Sequence, residues 1–268
     1  MSEVQATQAR RILAVAIGIV ALMYAANGFF NHTALGVGMK ACEGAYMYAF
    51  FFPFGMVLPA LFLGWVAGTG SVPPRQLGAR LGWQDVGATA AALGVGALLA
   101  ATLVGPLLRE PGGVVAAHRL FALLFVASTA EVLVFLGVLA NAVQLAAGSA
   151  GQARSYLIAL AGSSLAFGVF HLTYPAPWNS IGTCLGLTLV WAGVAVVFFL
   201  SRSLVAAVGF NNIMAVVGFG QRGIELPGSA LGGWLRAALA FAVVVLVVRL
   251  AWAAMGGPNP AADEREYG

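Results

Sequence analysis

The chain has 268 residues, 61% hydrophobic and 8% charged, with a mean hydropathy of +0.93. A soluble domain carries about 25% charged residues, so this composition excludes a soluble globule, and the absence of alternating segments of about ten residues excludes an outer-membrane barrel. The net charge of +4, from 13 basic and 9 acidic residues, sits mainly at the ends of apolar runs, where it reports orientation in a membrane rather than binding to nucleic acid.

A membrane-spanning helix needs about 20 apolar residues. Runs of that kind occupy 12–30, 45–68, 86–108, 116–140, 156–172, 181–200, 204–218 and 235–255. They predict an all-α polytopic transmembrane bundle of about eight helices, forming one integral membrane domain over 1–255. Arg10 and Arg11 precede the first run, and further spans follow it, so it reads as a retained helix rather than a cleaved signal. His32, beside Asn31 and Thr33, is expected in a loop. In the second run, Phe50, Phe51, Phe52 and Phe54 present a lipid-facing or packing surface, with Pro53 kinking the helix. The basic segment 71–83 is expected to lie at the membrane interface. His118 and Arg119, near an end of the fourth run, are expected to reach the interface. Trp65, Trp178, Trp191, Trp234 and Trp252 include candidate interface anchors, and Pro175 and Pro177 make a rigid turn after His171. The run 204–218 is short for a full span and is expected to be tilted, interrupted or buried. The tail 256–268, Pro-rich and then acidic, is expected to be disordered.

With the N-terminus inside, Arg10, Arg11, Arg75, Arg80, Arg154, Arg202 and Arg265 fall on the cytoplasmic side, against Lys40, Arg109 and Arg222 on the other. Both termini are therefore expected in the cytoplasm, and the Gly- and Ala-rich composition suggests a bacterial inner membrane. Pairs of small residues such as Gly64 and Gly68 or Gly182 and Gly186 allow close helix approach. Cys42 and Cys184 read as unpaired small apolar residues. No internal repeat points to an inverted-repeat transporter.

Glu131 is the most informative residue. It lies in an otherwise apolar run, where an ionisable group costs roughly 2.5–3.5 kcal/mol at the bilayer centre and tends to mark a functional site. His171 is the one histidine placed within another span. Ser128, Glu131 and Phe135 share a helix face by their spacing of three and four, and Ser164, Phe167 and His171 share another. If these faces meet, they place a carboxyl and an imidazole in one small wet cavity, to which Asn211 and Asn212 could add amide donors.

Three segments, in order, resemble the CPBP family of intramembrane proteases (the CAAX-protease and bacteriocin-processing, or Abi, enzymes). The family's first motif is Glu-Glu-x-x-x-Arg, often with Phe before the Arg and Gly after it. Glu131, Phe135 and Gly137 match it, while Val132 and Leu136 stand in place of the second Glu and the Arg. The second motif, Phe-x-x-x-His after a Ser pair, is matched by Ser163, Ser164, Phe167 and His171. In the third, Ser203, Leu204, Gly209 and Phe210 fit, but Asn211 holds the His position and Ala215 the later Asn position. Residues 77–85 are similar to the family's linker, so the resemblance covers about 77–215 of this sequence.

The resemblance implies a protease-like bundle in which Glu131 would activate water and His171 would bind or polarise it. A carboxyl at bilayer depth can act as general base or acid. Asn211 cannot take a proton but can donate to an oxyanion. Catalytic zinc needs about three protein ligands; Glu131 and His171 supply two and His118 is a poor third, so no cofactor is expected. The residues missing from the motifs favour a non-catalytic relative: a scaffold, assembly factor or subunit that binds a membrane protein, a lipid or another hydrophobic ligand, with Ser164, Phe167, Asn211 and Asn212 as binding residues. The alternatives are an active intramembrane endopeptidase using Glu131 and His171, and a small transporter coupled to protons through Glu131.

Overall fold

The computed structural model of the chain describes residues 3–40, 47–70, 77–78, 125–176 and 178–220. Seven helices are formed among them. Helix α1 is Glu3–His32 and α2 is Ala34–Lys40. Helix α3 is π-helical over Met47–Val57 and continues as an α-helix over Leu58–Gly68. Helix α4 is Phe125–Ala146, with a π-helical stretch at Leu133–Ala140. Helix α5 is Gln152–Phe170, ending in a 3-10 turn at His171–Thr173, α6 is Ile181–Ser201 and α7 is Leu204–Gly220.

Five of these helices are long and apolar enough to cross a membrane: α1, α3, α4, α5 and α6. The chain is a multi-span helical membrane protein. Each of the five overlaps a run expected from the sequence, and α7 is the short seventh run. The expected spans 86–108 and 235–255, the start of 116–140, the tail, Cys42, His118 and Arg119 lie outside the described residues.

Periodicity explains which faces turn inward. On α1, Ile12, Ala16, Ile19, Val20, Met23, Asn27 and Phe30 are buried at steps of mostly three and four, while Val15, Ile17, Leu22 and Phe29 are exposed. Helix α4 is central. Of its most apolar stretch 67% is buried, against 39% for each of the other four spanning helices. Gly55 on α3 brings that helix against α4, since a Cβ there would sit 2.3 Å from the Ala130 Cβ. Pro53 lacks an N–H and crowds the carbonyl four residues back. It lies inside the π-helical stretch of α3, whose wider turns relieve that clash. The phenylalanines around it divide between roles: Phe50 and Phe51 are buried and Phe52 is exposed.

Gly151, at φ +90°, turns the chain into α5. Helix α6 opens with Ser180, whose Oγ accepts from the Thr183 N–H at 3.1 Å. Helices α5 and α6 run antiparallel: Tyr156 stacks on Phe199 at 5.4 Å and Phe167 on Trp191 at 3.8 Å, and Gly168 abuts Thr188 and Cys184. Helix α6 closes on Arg202 in the left-handed region at φ 51°, its N–H bonded to the Phe198 carbonyl at 2.7 Å. The Arg202 guanidinium donates through both terminal nitrogens to Gln144 Oε1, each at 3.1 Å, and lies 4.6 Å from the Tyr156 ring centroid.

Of the basic connector only Leu77 and Gly78 are described, and they do not lie on the surface. Leu77 is buried, and its carbonyl accepts from Asn141 Nδ2 at 3.2 Å. The Gly78 carbonyl accepts from the Leu204 N–H at 3.2 Å. Gly78 has φ +71°, and a Cβ there would sit 2.7 Å from the Phe198 ring, so both conformation and space call for glycine.

Candidate functional site

Glu131 projects from α4 one turn before Phe135 and is half-buried. Its Oε2 accepts a hydrogen bond from Asn211 Nδ2 of α7 at 3.3 Å. The sequence therefore brought together two residues that the fold does join across 80 positions. Asn211 and Asn212 are both buried, as is Ser128 on the Glu131 face. Among the described residues Glu131 makes no ion pair, and the amide of Asn211 is the carboxyl's polar partner.

His171 lies in the last turn of its span rather than deep within it, capping α5. It is nonetheless buried. Its Nδ1 is 2.9 Å from the Phe167 carbonyl. A carbonyl only accepts, so Nδ1 carries the proton, and the Nε2 lone pair of a neutral ring points away from the helix backbone. Aromatic rings surround the imidazole: Tyr174 stacked at 5.2 Å, Phe167 edge-on at 4.7 Å, Phe170 edge-on at 5.7 Å and Trp178 at 6.2 Å.

The two predicted faces do meet, through rings. Phe135 stands perpendicular to Phe167 at 5.4 Å and also touches Phe170 at 5.5 Å and Trp191 at 5.9 Å. Phe167 and Phe170 in turn border His171. No hydrogen bond or ion pair joins Glu131 to His171; each is held by a separate partner. Ser164, Phe167 and His171 are all buried, as their shared spacing predicts. Among the described residues Ser164 Oγ and Trp191 Nε1 have no hydrogen-bond partner. Trp191, read from sequence among candidate interface anchors, instead sits fully buried at the centre of the ring stack. Among the described residues no three His, Cys, Asp or Glu side chains gather closely enough to hold a metal ion. Cys184 is a buried free thiol.

The sequence reading missed a second polar seam. Tyr24, Asn27 and Asn31 follow one another on α1 at steps of three and four, which put them on one face. The Tyr24 hydroxyl donates to the Ala166 carbonyl on α5. Asn27 Nδ2 donates to Thr173 Oγ1 at 2.7 Å, and Asn31 Nδ2 donates to the Asn27 carbonyl at 2.8 Å. His32 is not a loop residue. It ends α1, and its Nε2 lies 3.2 Å from the Thr173 carbonyl, so that nitrogen carries the proton. The seam fastens the ends of α1 and α5 together, and Tyr24 also reaches the rings of Phe170 at 5.3 Å and Phe135 at 6.4 Å.

These features define a multi-span helical membrane protein with a polar and aromatic interior. Comparison with protein-family models, curated proteins and solved structures finds no match for this chain.

Proposed function

We propose that the chain is a non-catalytic relative of the CPBP intramembrane proteases, acting as a scaffold or subunit that holds another membrane protein or a lipid-like hydrophobe within the bilayer. The observation that carries this reading is the separate engagement of Glu131 and His171. Glu131 is bonded to the amide of Asn211, and His171 donates to the backbone of its own helix among aromatic rings. A hydrolytic pair needs both groups within hydrogen-bond reach of one water and of the scissile carbonyl. Here the motif positions that would complete such a site hold Val132, Leu136, Asn211 and Ala215. Of these, Asn211 retains a helix-to-helix contact, with Glu131, in keeping with a binding role.

The test is Glu131→Gln in the full-length chain. Cross-linking in native membranes followed by detergent purification should recover the same membrane partner or bound lipid from variant and parent, and neither should cleave a membrane peptide substrate. Cleavage by the parent that disappears in Glu131→Gln would defeat this reading and establish the second one, an intramembrane endopeptidase. One observation favours that alternative: with the proton on Nδ1, the Nε2 of His171 keeps a lone pair for a water or a metal ion. Stoichiometric zinc after metal-free purification would count for it.

A further inference from the structure

The α5–α6 interface holds two polar atoms for which neither the ring packing nor the proposed role accounts. Among the described residues neither Ser164 Oγ nor Trp191 Nε1 has a hydrogen-bond partner, and both atoms are buried, in residues only 2% and 0% exposed. Buried polar groups in folded proteins are almost always paired, and an exception calls for an explanation. Helix back-bonding is available at this turn, because Ser163 Oγ donates to the Leu160 carbonyl at 3.2 Å. Ser164 does not use it.

Both residues lie on the faces that α5 and α6 turn to each other. Ser164 is one turn before Gly168, and Gly168 lies against Thr188 and Cys184, so that face of α5 is turned to α6. Trp191 is one turn beyond Thr188 on the face of α6 turned to α5, and its indole stacks on Phe167 at 3.8 Å. The antiparallel register set by Tyr156 on Phe199 and Phe167 on Trp191 puts Ser164 and Trp191 at one level of the interface.

We infer that Ser164 and Trp191 form a membrane-buried receptor for a single hydrogen-bond-accepting oxygen. The indole N–H is a donor only, and the hydroxyl can donate or accept, so the guest atom must accept. The neighbouring walls are the rings of Phe135 and Phe167, which disfavour a charged guest. That chemistry has two sources: an enclosed water, or the carbonyl oxygen of a small uncharged lipophile. The receptor is independent of Glu131 and stands whether or not the chain hydrolyses peptides.

The experiment uses the full chain in detergent with Trp191 as its one tryptophan, made by replacing Trp65, Trp83, Trp178, Trp234 and Trp252 with Phe. Ultraviolet resonance Raman reads whether the indole N–H is hydrogen-bonded. The expected result is a hydrogen-bonded N–H with Ser164 present and a shift towards the free N–H in Ser164→Ala. A free N–H with Ser164 present overturns the inference without any need for the variant to fold, and so does a folded Ser164→Ala protein with an unchanged band. Two further arms separate the sources. Exchange into H2-18O should shift an enclosed-water O–H stretch in the infrared that Ser164→Ala abolishes, whereas solvent extraction with mass spectrometry should find about one carbonyl compound per chain if the guest is a lipophile. Finding neither guest overturns the inference.

Discussion

The α5–α6 interface and the α4–α7 contact are held by different forces. Between α5 and α6 the close approach comes from shape: Gly168 lets one backbone come down on Thr188 and Cys184, and Phe167 lies flat on Trp191. Between α4 and α7, where Leu204 also packs over Gly137, a polar link is added by the hydrogen bond at 3.3 Å from Asn211 to Glu131. Lipid tails are as apolar as leucine, so helices in a bilayer gain little from hiding apolar surface from one another and depend on packing and interhelical hydrogen bonds. The residue that stands out most in the sequence therefore need not contribute most to the bundle. The glycine and the rings carry the larger share of the stability, and Glu131 carries specificity of contact.

The sharpest way to break this comparison is Phe135→Ala. Phe135 is fully buried and touches the rings of Tyr24, Phe167, Phe170 and Trp191, so its removal leaves a cavity where α1, α4, α5 and α6 converge. A loss of about 3–5 kcal/mol is expected, read as the shift in unfolding in mixed detergent micelles. A loss no greater than that from changing Glu131 would reverse the ranking.

Gly168→Ala tests the same interface by overfilling it. A Cβ at that position would sit 1.9 Å from Thr188 Oγ1 and 2.5 Å from the Cys184 carbonyl. The threonine can rotate away, but the backbone carbonyl cannot, so the helices must separate. The expected cost is about 1–3 kcal/mol. Gly162, on the same helix with open space where its Cβ would go, supplies the control: Gly162→Ala should stabilise the chain by about 0.5–1 kcal/mol. Equal effects at the two glycines in the same denaturation assay would show that α5 and α6 are not in close contact.

The spans were legible in the sequence because hydropathy and length alone decide them, and the boundaries that slipped did so for a local reason. The run was expected to end at 140, just before Asn141 and Gln144, yet α4 continues through both. Asn141 stays inside by donating to the Gly137 carbonyl at 2.9 Å as well as to Leu77, and Gln144 is held by Arg202. Spacing also revealed that Ser164, Phe167 and His171 share a buried face. It could not say that the imidazole would bond to its own helix, because the tautomer depends on which carbonyl the ring meets at the end of α5. Nor could it place Trp191, since an indole at mid-helix fits an interior as well as an interface. The Tyr24, Asn27 and Asn31 seam was legible by the same spacing rule that picked out Glu131. It does not stand out in the sequence because none of those residues is charged, and a neutral donor in a span is a weaker signal than an ionisable group.

His171→Phe sharpens the comparison from the polar side. The ring contacts with Tyr174, Phe167 and Phe170 can survive the change, while the bond from Nδ1 to the Phe167 carbonyl is lost. A loss of about 0.5–1.5 kcal/mol is expected, smaller than that at Gly168 or Phe135. A collapse of stability comparable with Phe135→Ala would mean that this hydrogen bond, rather than the packing of rings, fixes the end of α5.

The smallest effect is expected at Glu131, and its size decides how the residue should be regarded. Glutamine has the length of glutamate and keeps a carbonyl oxygen able to accept from Asn211 Nδ2, so Glu131→Gln preserves the contact with Asn211. Interhelical hydrogen bonds in membranes average about 0.6 kcal/mol and reach about 1.7 kcal/mol; complete loss of the contact should cost an amount in that range, and the glutamine variant should fall below about 0.6 kcal/mol. Asn211→Leu, which removes the donor and leaves the carboxyl unpaired in a span, should cost more than Glu131→Gln in the same unfolding assay. If the order is reversed and Glu131→Gln is the more damaging change, the carboxyl owes its place to its charge and not to its bond with Asn211, and the α4–α7 contact would then rank with α5–α6 in holding the bundle together.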